Sequence, residues 1–303
     1  MNLQKIMPIT QKMCLAACGA FLLIFLPFHA GMNLCILRDD GGEWYRNVCH
    51  FMGTNYIVKV FEVVLLVCVL LHILLAIFVT LQNYLSRGTQ RYKIPNKSHT
   101  HFMSKYMIWT GGIMACFLVL HFMNFYFVKL GFVQGKYCTK IERVDTAFKQ
   151  KALLIQSGKA SEEQKNTFVK QYQMLNQISS DTTKMDRKLK LSMLSDNPTP
   201  NGYLVNLSKT EVTQAFGTDF KYYEPDFYTM AKDLFANKVY SIIYLFVFFV
   251  LAFHLFHAVS SIFQTFGLSH PKYNTLVEVI SLCYAIVIPI AFGIVPLGVL
   301  LGL

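Results

Sequence analysis

Five apolar runs constrain this chain more than any other feature. They fall at residues 13–36, 57–81, 104–128, 239–264 and 276–302, and each supplies the roughly 20 residues a helix needs to cross a hydrocarbon core. In lipid the backbone must satisfy its own polar groups, so such runs fold as helices. The expected fold class is therefore an all-α membrane protein with five transmembrane helices. Composition agrees, with 54% hydrophobic and 15% charged residues. The first run begins after Lys12 and has no small-residue cleavage site with a polar sequel, so it reads as a retained anchor and not a removed signal peptide.

Charge divides the chain further. Between Lys129 and Lys238 lie 17 of the 28 basic and 12 of the 17 acidic residues, which leaves the rest nearly charge-free. Three parts follow: helices one to three over 1–134, a partly helical insert over 135–235, and helices four and five over 236–303. A net charge of +11 invites a nucleic-acid reading, but that needs a basic folded face. Here much of the excess sits in short loops between apolar runs, so no nucleic-acid partner is expected. The segment NYLSRGTQRYKIPNKSHTHFMSK carries Arg87, Arg91, Lys93, Lys97 and Lys105 with no acid, which predicts a cytoplasmic loop. By alternation the N-terminus lies inside, while the loop over 31–56, the insert and the C-terminus lie outside. The insert reads as amphipathic helix from Thr139 to Leu194, a break at NPTPNG, and a mixed segment up to Asp226. Of eight cysteines, Cys35, Cys49 and Cys138 fall on the outer side, where a Cys35–Cys49 bridge is one option. No spacing resembles a zinc or iron–sulfur motif.

Histidines are the informative residues, because ionisable groups within a bilayer are costly and mark functional sites. His29, His72, His121 and His254 stand one on each of the first four helices, with His257 beside the last. On the expected topology His29 and His121 sit in the outer half and His72 and His254 in the inner half. Two levels of paired imidazoles, ~12 Å apart by the helical rise, suit two bis-histidine haems stacked in a four-helix bundle. A single metal centre would need its ligands at one depth. Gly19 and Gly111 each stand ten residues before an outer histidine, which places both at the level of the inner pair. There the missing side chain lets a flat macrocycle approach, or simply lets helices pack.

The stretches CGAFLLIFLPFHAGMN, HFMGTNYIVKVFEVVLLVCVLLH, WTGGIMACFLVLHFMNFYF and AFHLFHAVSSIFQTFGLSHPKY resemble one family. It is the di-haem, five-helix cytochrome b membrane anchor of succinate:quinone oxidoreductases and quinol:fumarate reductases, of the Bacteroidetes-like type. The resemblance implies two haems b, the outer iron held by His29 and His121 and the inner by His72 and His254. His254 is followed four positions later by Ala258, as the family's motif requires, and His257 is the runner-up ligand. It further implies flavoprotein and iron–sulfur partner subunits docked on the cytoplasmic side of a bacterial inner membrane. Electrons would pass between them and a membrane quinone, menaquinone by this likeness. The connection between the third and fourth helices is longer than the family's usual one. Where some relatives carry a glutamate two residues before the fourth ligand, this chain has Ala252, so the resemblance implies electrogenic turnover unless Glu62 or Glu278 substitutes.

Quinone or proton-handling candidates are Glu62, His50 and Glu43. Glu62 reads equally as an interfacial carboxylate, and His50 as a cap for the second helix. Arg87, Arg91 and Lys93 are candidates to neutralise haem propionates, or plain topology signals. The alternative function is a di-haem quinol-oxidising cytochrome b of another respiratory complex, such as formate dehydrogenase or hydrogenase. A membrane metal hydroxylase would cluster its histidine motifs at one cytoplasmic face, and a non-enzymatic channel or receptor would leave the depth pairing a coincidence.

Overall fold

The computed structural model describes residues 3–87, 106–195, 201–218 and 222–302. The basic loop with Arg91, Lys93, Lys97 and Lys105, the side chain of Arg87, and most of the NPTPNG break lie outside these residues. In chain order the helices are α1 (Leu3–Leu34), α2 (Glu43–Thr54), α3 (Tyr56–Arg87), α4 (Met107–His121), α5 (Ile141–Gln156), α6 (Glu162–Ser180), α7 (Arg187–Met193), α8 (Lys209–Phe216), α9 (Phe227–Ala236), α10 (Lys238–Thr265) and α11 (Pro271–Leu301). The strands are β1 (Tyr137–Lys140), β2 (Tyr203–Leu207) and β3 (Glu224–Pro225). Five helical spans are long and apolar enough to cross a membrane: Ile9–Leu37, Tyr56–Ser86, Met107–Lys129, Lys238–Thr265 and Pro271–Leu301. They coincide with the five apolar runs.

The chain forms two compact units. The first comprises Met1–Leu34, Met52–Val119 and Asn237–Leu303. Its ends are set by local chemistry. Asn237 Oδ1 accepts from the Val239 N–H at 2.9 Å to start α10. His270 Nδ1 accepts from the Lys272 N–H at 3.2 Å and Pro271 opens α11, where its missing N–H costs nothing. α10 and α11 pack along their lengths, and α1 packs against both and against α3. Ala30, Leu251, Leu255, Ala285, Ile288 and Phe292 form the core. Between α10 and α11 the Ser260 and Ser281 hydroxyls meet at 3.0 Å, and Ser281 Oγ also donates to the Val277 carbonyl. Such small polar residues let apolar helices approach closely.

The second unit comprises Cys35–Phe51 and Leu120–Ala236. The expected single helix over 139–194 is instead the end of β1 followed by α5, α6 and α7. Gly158, at φ +70°, takes the left-handed conformation after α5. Ser161 and Gln164 then form a reciprocal capping box that opens α6, and the Asp186 carboxylate accepts from the Leu189 N–H to open α7. A three-stranded antiparallel sheet in the order β2-β1-β3 was not expected at all. Its core joins Tyr137, Val144, Phe148, Leu189, Leu204 and Val212.

The segment over 31–56 is not simply a loop. Asp40 accepts from the Gly42 and Trp44 N–H groups and starts α2. Gly42, at φ +85°, has the Tyr228 ring where a side chain would be, a Cβ there lying 2.5 Å from it. His50 lies within α2 and does not cap the next helix. That role falls to Asn55, whose Oδ1 accepts from Ile57 and Val58. Cys35, Cys49 and Cys138 are free thiols.

Candidate functional site

The four candidate histidines are all half-buried, one on each of α1, α3, α4 and α10. In the first unit, helix spacing brings the two glycines to imidazoles on neighbouring helices. A Cβ built at Gly19 of α1 would lie 3.5 Å from His72 Cε1, and one at Gly111 of α4 would lie 3.7 Å from His254 Cε1. A Cβ at Gly19 would also lie 3.7 Å from Ile262 Cδ1, eight residues beyond His254 on α10. Each glycine of the two thus faces an imidazole across a helix contact.

Hydrogen bonding presents these rings in particular ways. Thr110 Oγ1 donates to the Met107 carbonyl at 3.1 Å and lies 3.4 Å from His254 Nδ1. An Nδ1–H donated to this hydroxyl would leave the Nε2 lone pair of His254 for a ligand. His29 Nδ1 lies 3.4 Å from Asn33 Nδ2, which also donates to the His29 carbonyl at 2.7 Å. Phe25 stacks on the His29 ring at 5.1 Å, and Phe292 tilts against it at 5.7 Å. His72 buries its Nδ1 without a hydrogen-bond partner.

α4 buries none of its residues, and the apolar span of α3 is likewise unburied. Contact between α4 and α10 runs through side chains, with Phe117 edge-on to Tyr244 at 4.9 Å. Interiors are otherwise close-packed. Glycine backbone beside an imidazole, at Gly19 with His72 and at Gly111 with His254, is a lining that would suit a flat, nitrogen-ligated group.

In the second unit, His121 at the end of α4 is followed at once by a π turn, Phe122–Tyr126, and its ring lies 5.3 Å from Phe125. Such π turns recur at functional sites because the extra residue redirects side chains. Among the described residues no three His, Cys, Asp or Glu side chains form a metal-holding group.

The quinone candidates separate. Glu62 lies half-exposed on α3 in the first unit. His50 and Glu43 belong to the second, where His50 Nδ1 meets Glu224 Oε2 at 2.9 Å and Glu43 accepts from Lys188 Nζ at 2.7 Å. Arg143 joins the other oxygen of Glu224 at 3.4 Å. Beside them Arg46 forms a buried, two-toothed pair with Asp226, at 2.9 and 3.3 Å, and lies over the Tyr228 ring. Burial opposes the Arg46 charge, and Asp226 more than restores it, so the guanidinium is held above its ordinary value. Burial, then the nearby Glu224 carboxylate, pushes the Cys49 thiol up to about 12.

Sequence reasoning missed Asn33, Thr110, Phe292, Glu224 and Arg143. Asn33 carried a signal, since a polar residue four beyond His29 stands over it on the same helix face. The others act across helices or strands, where no spacing rule reaches them. Neither a family model, nor a curated protein, nor a solved structure matches this chain.

Proposed function

We propose that this chain is the di-haem cytochrome b anchor of a succinate dehydrogenase or fumarate reductase complex. In this reading it conducts electrons between an iron–sulfur subunit and a membrane quinone, with menaquinone the expected species. The observation that carries the reading is the pairing of Gly19 with His72 and Gly111 with His254, on helices that each contribute one imidazole. Haem b, held by two imidazole nitrogens, supplies one-electron redox capacity at a potential set by ligands, burial and hydrogen bonds.

The chain's own residues divide the work. His72 and His254 hold one haem iron, and His29 and His121 the other. Thr110 keeps the His254 ring in the tautomer that leaves Nε2 unprotonated, while Phe25 and Phe292 shield His29 from water. Glu62, ten residues before His72 on α3, is the proton-handling candidate at the quinone. His50 and Glu43, already engaged by Glu224 and Lys188, are weaker ones. In this reading the partner subunits dock on the cytoplasmic side, the side that the basic sequence over 88–105 marks by charge alone. With one haem level near each face, electron transfer crosses the membrane, and each charge moved is worth ~2.3 kcal/mol per 100 mV. Turnover is then electrogenic unless Glu62 or Glu278 supplies the proton path that Ala252 does not.

Purification of the tagged chain from its native membranes tests the reading. A co-purifying covalent-flavin subunit and an iron–sulfur subunit, with quinone-coupled succinate or fumarate turnover, is the expected result. Formate dehydrogenase or hydrogenase subunits in their place would instead establish the alternative respiratory complex. Proteoliposomes that build no potential during quinol oxidation by fumarate would remove the electrogenic part.

A further inference from the structure

The fifth membrane helix carries no candidate ligand, yet it grips the first on either side of a defect. In α1, Pro27 has no N–H, so the Leu23 carbonyl loses the donor that residue 27 would supply in an unbroken helix. A carbonyl freed at this depth must find another partner, since lipid offers none. Its partner is the Tyr284 hydroxyl of α11, which donates to it. Eight residues further along α11, Phe292 lies 5.7 Å from the His29 ring, and Ala30 is buried in the same core cluster as Ala285 and Phe292. The contacts bracket Pro27: one at Leu23 before it, the other at His29 after it.

We infer that Tyr284 is a positioning residue for His29. Its hydroxyl closes the backbone bond that Pro27 opens, and so fixes the angle at which α1 presents the His29 imidazole. Phe292 holds the ring from the side. The inference rests on the proposed reading of His29 as a haem ligand. It gives the fifth helix a task that needs no ligand of its own: setting the geometry of one haem iron while leaving the other alone.

The test uses the purified full-length chain and its Tyr284→Phe variant, which keeps the ring and its packing. A Pro27→Ala variant restores the N–H donor to Leu23, and a double variant combines the two changes. Redox titration and low-spin ferric EPR are read for each haem, with His29→Ala identifying which one that residue holds. The expected result is a shifted midpoint and g value in Tyr284→Phe, confined to the haem lost in His29→Ala, with no further change when Tyr284→Phe is added to Pro27→Ala. Unchanged signals in Tyr284→Phe would overturn the inference. So would equal shifts in both haems, or the same shift with Pro27→Ala present. A wild-type chain without haem b would remove the functional reading and this inference with it, whereas two intact, insensitive haems would remove only the inference.

Discussion

Replacing Asp226 by Asn tests what holds the second unit together. Asp226 is fully buried and Arg46 is only 4% exposed. The carboxylate accepts from Arg46 Nε at 2.9 Å, from Arg46 Nη2 at 3.3 Å and from Thr229 Oγ1 at 2.6 Å. Asparagine keeps the shape but turns one acceptor into a donor facing donors, and it strands a guanidinium charge inside. Removing one partner of a buried pair costs ~3–5 kcal/mol. At about 1.4 kcal/mol per tenfold, that raises the open fraction of the α2–β3 contact by roughly two to three and a half orders of magnitude. Hydrogen exchange on the detergent-solubilised chain reads this directly, as lost protection of the β1 and β3 amides with α10 as internal control. Arg46→Met with Asp226→Leu should recover most of the loss, because apolar replacement of a whole buried pair is often neutral. A change below about threefold, or ~0.7 kcal/mol, would refute the view that this pair fastens α2 to the sheet.

Other perturbations address the site and the second unit. Gly19→Leu should abolish one haem and spare the other, because its side chain enters the space beside His72, while Gly19→Ala, with a Cβ at ordinary contact distance, should retain both; haem-to-protein ratios decide. Gly111→Leu, beside His254, should remove the same haem as Gly19→Leu. Glu211 is half-buried, which opposes its ionisation. The Ser208 backbone and hydroxyl groups and Lys184 outweigh burial and hold its carboxyl below the ordinary value of 4.5. A depressed value means stability that is present above about pH 4.5 and lost as pH falls through the lower native value. Thermal melts should therefore show Glu211→Gln less stable than wild type at pH 7, with the difference vanishing toward pH 3.

The membrane helices were legible in the sequence because their signal is local and redundant: twenty or more apolar residues admit one solution in lipid. The run over 57–81 became Tyr56–Arg87 with no competing pattern. The sheet was not legible. β1 and β2 hold four and five residues, their register joins Lys140 to Tyr203 across an entire helical segment, and no hairpin turn announces them. The pairing of Arg46 was not legible either, since its partner Asp226 lies 180 residues away. The division of the supposed helix over 139–194 did carry a signal, Ser161 followed three residues later by Gln164, whose meaning depends on where the helix begins. At the candidate site the histidines and glycines were visible as spacing along single helices. Thr110, Tyr284 and Phe292 were not, because their meaning lies in the neighbouring helix each one meets. Pro27 was visible, but the hydroxyl that answers it was not.

The proposed function requires two bis-histidine haems at two levels of one bundle. A dithionite-reduced minus oxidised visible spectrum, with haem-to-protein ratio, on the purified chain and on His72→Ala and His121→Ala tests it most directly. The account predicts two low-spin b haems in the wild type, with each variant losing a different one. An absence of haem, or one haem lost equally in both variants, would contradict it.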